Sequence, residues 1–168
     1  IARDMALEQG RELYYLATMR PVDEEDLNRI ARHIEERKGW GFTTVEQSED
    51  ILRCLRQPEE SGESQDADPS GVFLLDSVTA LLSNEMFRSD GSMDLEAGRR
   101  VAEELKEFAR RTGNTVFVSD YLYGEAAAYD PLTEAYRKAL ALIDRTLAAS
   151  CQRVIEVAYG QVMDYKTF

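Results

Sequence analysis

The sequence predicts a three-layer α/β fold, in which a mostly parallel sheet carries helices on both faces and an antiparallel hairpin lies at the C-terminus. Two observations support this prediction. Short runs that are apolar on both faces, as buried parallel strands are, alternate along the chain with longer amphipathic segments. The amphipathic segments begin at helix-capping residues and end at glycines, so strands alternate with helices.

Six short runs are predicted as strands. Four of them are apolar on both faces and are expected to form the parallel sheet; they cover residues 13–18, 42–45, 72–75 and 115–119. The remaining two, residues 154–158 and 161–163, flank Gly160, and this short separation predicts the antiparallel hairpin.

Helix signals fill the intervals between these strands. Residues 1–10 have the pattern of a helix. A second helix is expected to begin after Asp23 as N-cap and to end before Gly39, and its apolar stripe consists of Leu27, Ile30 and Ile34. Residues 94–111 predict a charged amphipathic helix that stops at Gly113. Its inward-facing residues are Val101, Leu105 and Phe108.

The last long helix is expected to begin with Asp130 as N-cap and Pro131 at its first helical position. Its apolar stripe consists of Leu132, Tyr136, Leu140, Ile143 and Leu147. Earlier in the chain, residues 57–70 are polar, acidic and punctuated by Gly and Pro, and we expect a mobile surface loop there.

Length, charge and cysteine content limit the classes of function. A chain of 168 residues suits one domain, and its net charge of −12 argues against general binding to nucleic acid or anionic membranes, which need a broad basic surface. A mononucleotide remains compatible, because backbone amides and one or two cations hold it. Cys54 and Cys151 form no C-x-x-C pair, and with one histidine a zinc site is not expected. No signal peptide or membrane-spanning run is found, and we expect a cytoplasmic protein.

The only histidine, His33, is the strongest candidate for a catalytic residue. In a helix, Arg29, His33 and Arg37 are spaced four residues apart and share one face. This spacing places donors for phosphate oxygens beside a nitrogen nucleophile. The alternative is a solvated helix face that carries a histidine by chance, and composition alone does not exclude it.

Three polar residues, Thr18, Asp76 and Asp120, lie at or just past the predicted carboxyl ends of strands. Ligands of α/β folds bind beyond these ends, so position alone makes all three candidates for a binding site. Each is equally consistent with a helix cap, as Asp76 before Ser77 illustrates.

Taken in order, these runs resemble the sequences of the adenosylcobinamide kinase / adenosylcobinamide-phosphate guanylyltransferase family of cobalamin biosynthesis. Five stretches carry the resemblance, in the family's order. They are the strand ending in Ala17-Thr18, the R-I-x-x-H-x-x-x-R stretch of residues 29–37, the T-x-E of residues 44–46, residues 74–84 against LLDCLT-x-x-x-x-N, and the last helix with C-terminal strands ending at Lys166. The resemblance implies a P-loop NTPase or RecA-like fold and a single nucleotide-binding α/β domain over residues 1–168.

Two activities follow from this resemblance. The first is phosphorylation of adenosylcobinamide, and the second is transfer of GMP from GTP to adenosylcobinamide phosphate through a GMP–histidine intermediate, with His33 as the nucleophile. GTP or ATP would serve the kinase step, and Asp76 would also hold Mg²⁺. Asp120 and Arg137 would lie on the substrate side. The nucleotide-binding residues that the resemblance implies are Thr18, Arg29, Arg37, Glu46 and Asp76. The family is trimeric, so we expect a homotrimer.

The sequence also departs from the family pattern. The family's phosphate-binding loop precedes the position of Ile1, so we expect this sequence to lack the N-terminal strand and the P-loop. Three family motifs, N-E-V-G, F-R-D and N-Q, are replaced at residues 120–124, 136–138 and 144–145. These changes favour two alternatives: a divergent nucleotide-binding member with another substrate or a regulatory role, and an α/β interaction module that binds no nucleotide.

Overall fold

The computed structural model describes residues 1–55, 67–124 and 127–166 and confirms the predicted fold class. A four-stranded, all-parallel sheet carries helices on both faces, and a two-stranded antiparallel hairpin follows at the C-terminus. The helices are α1 (Ala2–Gln9), α2 (Glu24–Glu36), α3 (Val78–Met86), α4 (Ala97–Thr112) and α5 (Pro131–Ser150). The strands are β1 (Leu13–Ala17), β2 (Phe42–Glu46), β3 (Val72–Asp76), β4 (Thr115–Val118), β5 (Val154–Ala158) and β6 (Gln161–Lys166).

The order of the strands in the sheet is β2-β1-β3-β4. The register aligns the last residues of all four strands in one row, formed by Glu46, Ala17, Asp76 and Val118. Because the strands are parallel, their carboxyl ends share one edge of the sheet, where ligands of such folds bind.

The larger core lies between one face of the sheet and helices α3, α4 and α5. Alternation along the strands points Leu16, Phe73 and Leu75 to this face, and all three are fully buried. The expectation that Val101, Leu105 and Phe108 of α4 face inward is confirmed, since each has no exposed surface. Every residue of the predicted α5 stripe also packs into this core.

The opposite face of the sheet is covered more thinly. Ala2 and Ala6 of α1 pack on Leu13 and Val72, near the amino ends of the strands. Towards the carboxyl ends this face carries Tyr15, which belongs to no apolar cluster there and borders a cavity instead. The difference in cover between the two faces decides where a ligand has room to bind.

Local capping chemistry sets most helix ends where the sequence predicts them. The Asp23 carboxylate accepts from the Asp26 N–H at 2.9 Å, and the Asp130 carboxylate accepts from the Leu132 N–H at 3.0 Å. Gly113 ends α4 with a φ of 68°, which favours glycine. The predicted start of α4 at residue 94 is wrong. The helix begins at Ala97, because the Asp94 carboxylate accepts hydrogen bonds from the Glu96 N–H and from two arginines.

The C-terminal hairpin turns at Tyr159 and Gly160, whose φ angles of 52° and 73° are those of a tight hairpin turn. Of the predicted acidic loop, residues 57–66 lie outside the described residues, and its mobility stays a prediction. Residues 67–70 are placed: Ala67 is buried and donates its N–H to the Cys54 carbonyl at 2.8 Å. Within the described ranges, no helix combines the length and apolar character needed to cross a membrane.

Candidate active site

A cavity of about 260 Å³ lies between the C-terminal end of α2 and the thinly covered face of the sheet. It is smaller than the roughly 300–1,000 Å³ of most ligand pockets, so it suits part of a nucleotide rather than a whole one. Its lining residues come from α2, β1, β2, β3 and the turn before β2: Tyr15, His33, Glu36, Arg37, Trp40, Phe42, Leu74 and Asp76.

Local sequence places the candidate residues at this cavity. The Asp23 cap fixes where α2 begins, and the helix ends at Glu36, with Gly39 taking a φ of 80° in the following turn. His33 therefore lies in the last turn and Arg37 at the C-cap. Asp76 is the final residue of β3, where the sheet alternation directs it to the same face as Tyr15.

His33 is partly buried at the cavity wall. Among the described residues, no side chain forms a hydrogen bond or ion pair with its imidazole ring. A nucleophile must have an accessible lone pair, and a ring that is not held by neighbours can present either nitrogen to a ligand.

Arg37 and Arg29 share the helix face of His33, but they differ in their partners and in whether they line the cavity. The Arg37 guanidinium lies 3.4 Å from the centre of the Tyr15 ring and forms no ion pair within the described part of the chain, so its charge remains available at the cavity. The Arg29 side chain is 51% exposed, forms an ion pair with Asp26 at 3.0 Å and does not line the cavity. The structure thus brings one of the two predicted arginines to the candidate nucleophile.

The Asp76 carboxylate is held by one neighbour, since its Oδ2 accepts from the Tyr15 hydroxyl at 2.6 Å. Burial, and then this bond to Asp76, raise the pKa of Tyr15, so the phenol stays protonated as a donor. In the described ranges, no group of three His, Cys, Asp or Glu side chains is arranged to hold a metal by itself. One carboxylate still fits Mg²⁺, which takes its other ligands from substrate phosphates and water.

Two further predicted nucleotide-binding residues lie at the same sheet edge but outside the cavity lining. Thr18 is fully buried; its hydroxyl donates to the Ser77 carbonyl at 2.8 Å and accepts from the Ser77 N–H at 2.7 Å. Glu46 is exposed at the end of β2. The alternative that Asp76 caps α3 is wrong, because Ser77 is the N-cap and accepts from the Ala80 N–H.

The two predicted substrate-side residues lie away from this cavity. Asp120 is exposed and donates its backbone N–H to the Thr79 hydroxyl at 3.0 Å. Arg137 is buried, donates to the Leu122 carbonyl at 3.1 Å and forms an ion pair with Glu134 at 2.9 Å. These contacts hold the segment after β4 against α5.

The positions that depart from the family pattern contact one another. The Tyr123 hydroxyl donates to the Asp144 carboxylate at 2.9 Å, and the Tyr136 hydroxyl donates to the Thr79 carbonyl at 2.9 Å. Burial raises the pKa of Asp144 and raises that of Tyr136 to about 12, so Tyr136 is a neutral donor at physiological pH. The polar groups of Tyr123, Tyr136 and Asp144 are therefore bonded within the protein.

Sequence reasoning missed the cavity residues Tyr15, Trp40 and Phe42. Tyr15 carries no local signal for this site, and strand alternation places it on the same face as Asp76 only when the register of β1 with β3 is known. Trp40 and Phe42 carried no local signal beyond an aromatic pair at the start of a strand, and only the path of α2 brings them to His33.

Nearly the whole chain is similar to a known protein family. The family described as cobinamide kinase / cobinamide phosphate guanyltransferase matches residues 1–165. The chain belongs to this family. Membership gives it a transferase role in cobalamin biosynthesis, with a nucleotide and a cobinamide as the family's substrates. A comparison with curated proteins finds no significant match.

Proposed function

We propose that this family member phosphorylates adenosylcobinamide and transfers GMP from GTP to adenosylcobinamide phosphate through a GMP–His33 intermediate. The observation that carries the proposal is the convergence of His33, Arg37 and Asp76 on one cavity from α2 and β3. A nitrogen nucleophile, an unpaired cation and a carboxylate beside one another are the groups that nucleotidyl transfer uses.

The proposed transfer has two steps at the α-phosphorus of GTP. An imidazole nitrogen of His33 attacks, a phosphorus–nitrogen bond forms, the bond to the bridging oxygen breaks, and pyrophosphate leaves. A phosphate oxygen of the corrinoid then attacks the same phosphorus, the phosphorus–nitrogen bond breaks, and His33 is regenerated. Because the two steps share one nucleophile position, His33 has to be reached in turn by GTP and by the corrinoid.

Arg37 and Asp76 have separate tasks in this proposal. The Arg37 guanidinium donates to the α-phosphate oxygens, where negative charge builds up during both attacks. Asp76 would hold Mg²⁺ directly or through water, and that ion would neutralise the phosphates of the bound nucleotide. The side chains of Trp40 and Phe42 form an apolar part of the cavity wall that His33 also lines.

An alternative candidate is a divergent nucleotide-binding member with a different substrate or a regulatory role. The observation that favours it is that the polar groups of Tyr123, Tyr136, Arg137 and Asp144 form hydrogen bonds within the protein instead of facing an open site. In that case His33 would still accept GMP from GTP, but the GMP would not be transferred to adenosylcobinamide phosphate.

The decisive experiment incubates the full-length protein and Mg²⁺ with GTP labelled at either the α or the γ phosphate. We expect acid-labile, base-stable label from α-labelled GTP only, none on His33→Ala, and undiminished label on Arg29→Ala. Addition of adenosylcobinamide phosphate should discharge the label into a corrinoid product. Label that persists on His33→Ala would contradict the proposal, and label that the corrinoid does not discharge would favour the divergent member.

The proposal includes a cytoplasmic homotrimer. The sequence has two cysteines, Cys54 and Cys151, which form no C-x-x-C pair, and this supports a reducing compartment. The exposed apolar residues of α2 and of the hairpin supply surfaces that a partner subunit would cover. Sedimentation equilibrium should give about three times the mass of one chain. A monomer at micromolar concentration would remove the trimer from the proposal without affecting the chemistry.

A further inference from the structure

Tyr15 connects two residues of the candidate site that belong to different elements. Its hydroxyl donates to Asp76 Oδ2 at 2.6 Å, and its ring lies under the Arg37 guanidinium at 3.4 Å. We propose that Tyr15 is a positioning residue that fixes the Asp76 carboxylate and the Arg37 guanidinium relative to each other. This inference rests on the proposed function, because it gives both groups a nucleotide to act upon.

The surroundings of Tyr15 make it rigid enough for this role. It is 5% exposed, and its ring meets the Phe42 ring edge to face, with 5.9 Å between centres. Residues 14 and 16 of β1 point to the other face, into the main core, so Tyr15 cannot turn away without breaking the strand. A buried phenol needs a hydrogen-bond partner, and Asp76 is the one that it has.

Arg37 depends on Tyr15 more than an ordinary surface arginine depends on its neighbours. None of the residues of α2 is buried, so the helix supplies no packing that would hold the Arg37 side chain at its C-terminal end. A long side chain without such support spreads over many rotamers. The Tyr15 ring restricts Arg37 by cation–π contact and directs its charge to the cavity that His33 also lines.

Two substitutions separate the two contacts of Tyr15. Tyr15→Phe removes the hydroxyl bond to Asp76 and keeps the ring under Arg37, whereas Tyr15→Leu removes both. Tyr14→Phe is the matched control, because the neighbouring tyrosine of the same strand faces the opposite way and its hydroxyl bonds Glu12 and the Asp68 N–H. Trp40, the only tryptophan, lines the cavity and reports nucleotide binding through its fluorescence.

The experiment uses the full-length protein and two readouts: the rate of His33 labelling from α-labelled GTP, and GTP affinity by Trp40 fluorescence with and without Mg²⁺. For Tyr15→Phe we expect the Mg²⁺ concentration for half-maximal labelling to rise about tenfold, while GTP affinity without Mg²⁺ stays unchanged. For Tyr15→Leu we expect metal-free GTP affinity to fall about threefold to tenfold in addition. Tyr14→Phe should change neither quantity.

The outcomes distinguish this inference from the proposed function. If wild-type protein never acquires label on His33, the guanylyl-transfer proposal fails, and Tyr15 is judged by the fluorescence titrations alone. A Tyr15→Phe protein with the Mg²⁺ dependence of Tyr14→Phe would overturn the positioning role in either case. A merely structural role would lower the metal-free and the Mg²⁺-dependent affinities together, and it would lower the melting temperature of Tyr15→Phe, which we expect to match that of Tyr14→Phe.

Discussion

Helices α2 and α4 have the same kind of amphipathic sequence, but the fold uses them differently. Helix α4 buries seven residues, among them Val101, Leu105 and Phe108. Helix α2 buries none, and Leu27 and Ile34 of its apolar stripe are 55% and 53% exposed. An amphipathic pattern therefore predicts which face of a helix avoids water, but it does not predict what covers that face.

The physical reason lies in what each helix packs against. Helix α4 packs with α3, α5 and the sheet in the main core, where the buried partners are mostly apolar side chains. The C-terminal end of α2 lies over the thinly covered face of the sheet, where His33 and Arg37 face a cavity instead of a core. Residues that bind a ligand cannot also be sealed by packing, so site-bearing elements belong to the less stable part of a fold.

The largest effect expected from this comparison is on global stability. Leu105→Ala should lower the free energy of unfolding by about 2–5 kcal/mol, because it opens a cavity in the main core. Leu27→Ala removes the same atoms from α2 and should cost less than about 0.5 kcal/mol. Urea unfolding followed by circular dichroism at one fixed protein concentration measures both.

A partner subunit that covers α2 would raise the stability cost of Leu27→Ala. If Leu27→Ala costs as much as Leu105→Ala, then another chain covers α2 in solution, and the cost should shrink as the protein is diluted. Met5→Ala, at a half-buried position on α1, controls for the loss of a large side chain from the thinly covered face.

Much of the fold could be predicted because its signals are local. Apolar strands, the Asp23 and Asp130 caps and Gly113 each act within a few residues of themselves. The start of α4 was predicted three residues early because Asp94 is occupied by Arg88 and Arg100, and Arg100 becomes a neighbour only when the helix has packed. The exposure of the apolar stripe of α2 could not be predicted, since it depends on which parts of the fold pack against that helix.

The candidate site, like the fold, has features that local sequence predicts and features that it does not. Spacing and strand position singled out His33, Arg37 and Asp76, and the structure places them around one cavity, although their roles stay predictions. Arg29 had the same helical spacing, but it forms an ion pair with Asp26 one turn earlier. The contacts of Tyr15 join residues about 20 and 60 positions apart, and no local pattern reports such a pairing.

Helix capping gives a second, smaller contrast. The Asp130 carboxylate caps α5 by accepting from the N–H groups of Leu132 and Thr133, and Asp130→Ala should cost about 1 kcal/mol of global stability. Asp23→Ala removes a similar cap from α2, but global unfolding should hardly change because the helix contributes no buried residue. Amide hydrogen exchange should instead accelerate in α2 alone.

The asparagine variants are the controls for the capping contrast, because asparagine keeps the accepting oxygen at either cap. Asp130→Asn should restore most of the lost stability, and Asp23→Asn should restore slow exchange in α2. Equal losses of global stability for Asp23→Ala and Asp130→Ala would show that α2 is part of the cooperative core.

The smallest expected effect concerns the buried carboxyl group of Glu104 on α4. Helix α2 has no buried carboxyl group. Within the described residues, Glu104 Oε2 is buried without a hydrogen-bond partner, while Arg100 is bonded to Glu85 and Asp94. Burial raises the pKa of Glu104, the charges of Glu85 and Asp50 raise it further, and Arg100 opposes them. A raised folded pKa means that the protonated form is favoured in the native state. Its stabilising contribution is complete below the unfolded value of about 4.3 and is lost as the pH rises through the folded pKa.

Glu104→Gln keeps the shape and removes this titration. Its free energy of unfolding should equal that of the wild type below about pH 4 and exceed it by up to about 1 kcal/mol at pH 7. Glu103→Gln is the matched control for the loss of one carboxylate from α4, since the Glu103 side chain is 68% exposed in its ion pair with Lys106 and its replacement should hardly change the free energy of unfolding. Urea unfolding from pH 4 to pH 8 measures the difference. A gap that closes towards neutral pH would mean that the ion pair of Glu104 Oε1 with Arg100 at 3.9 Å compensates for the burial of the Glu104 carboxylate.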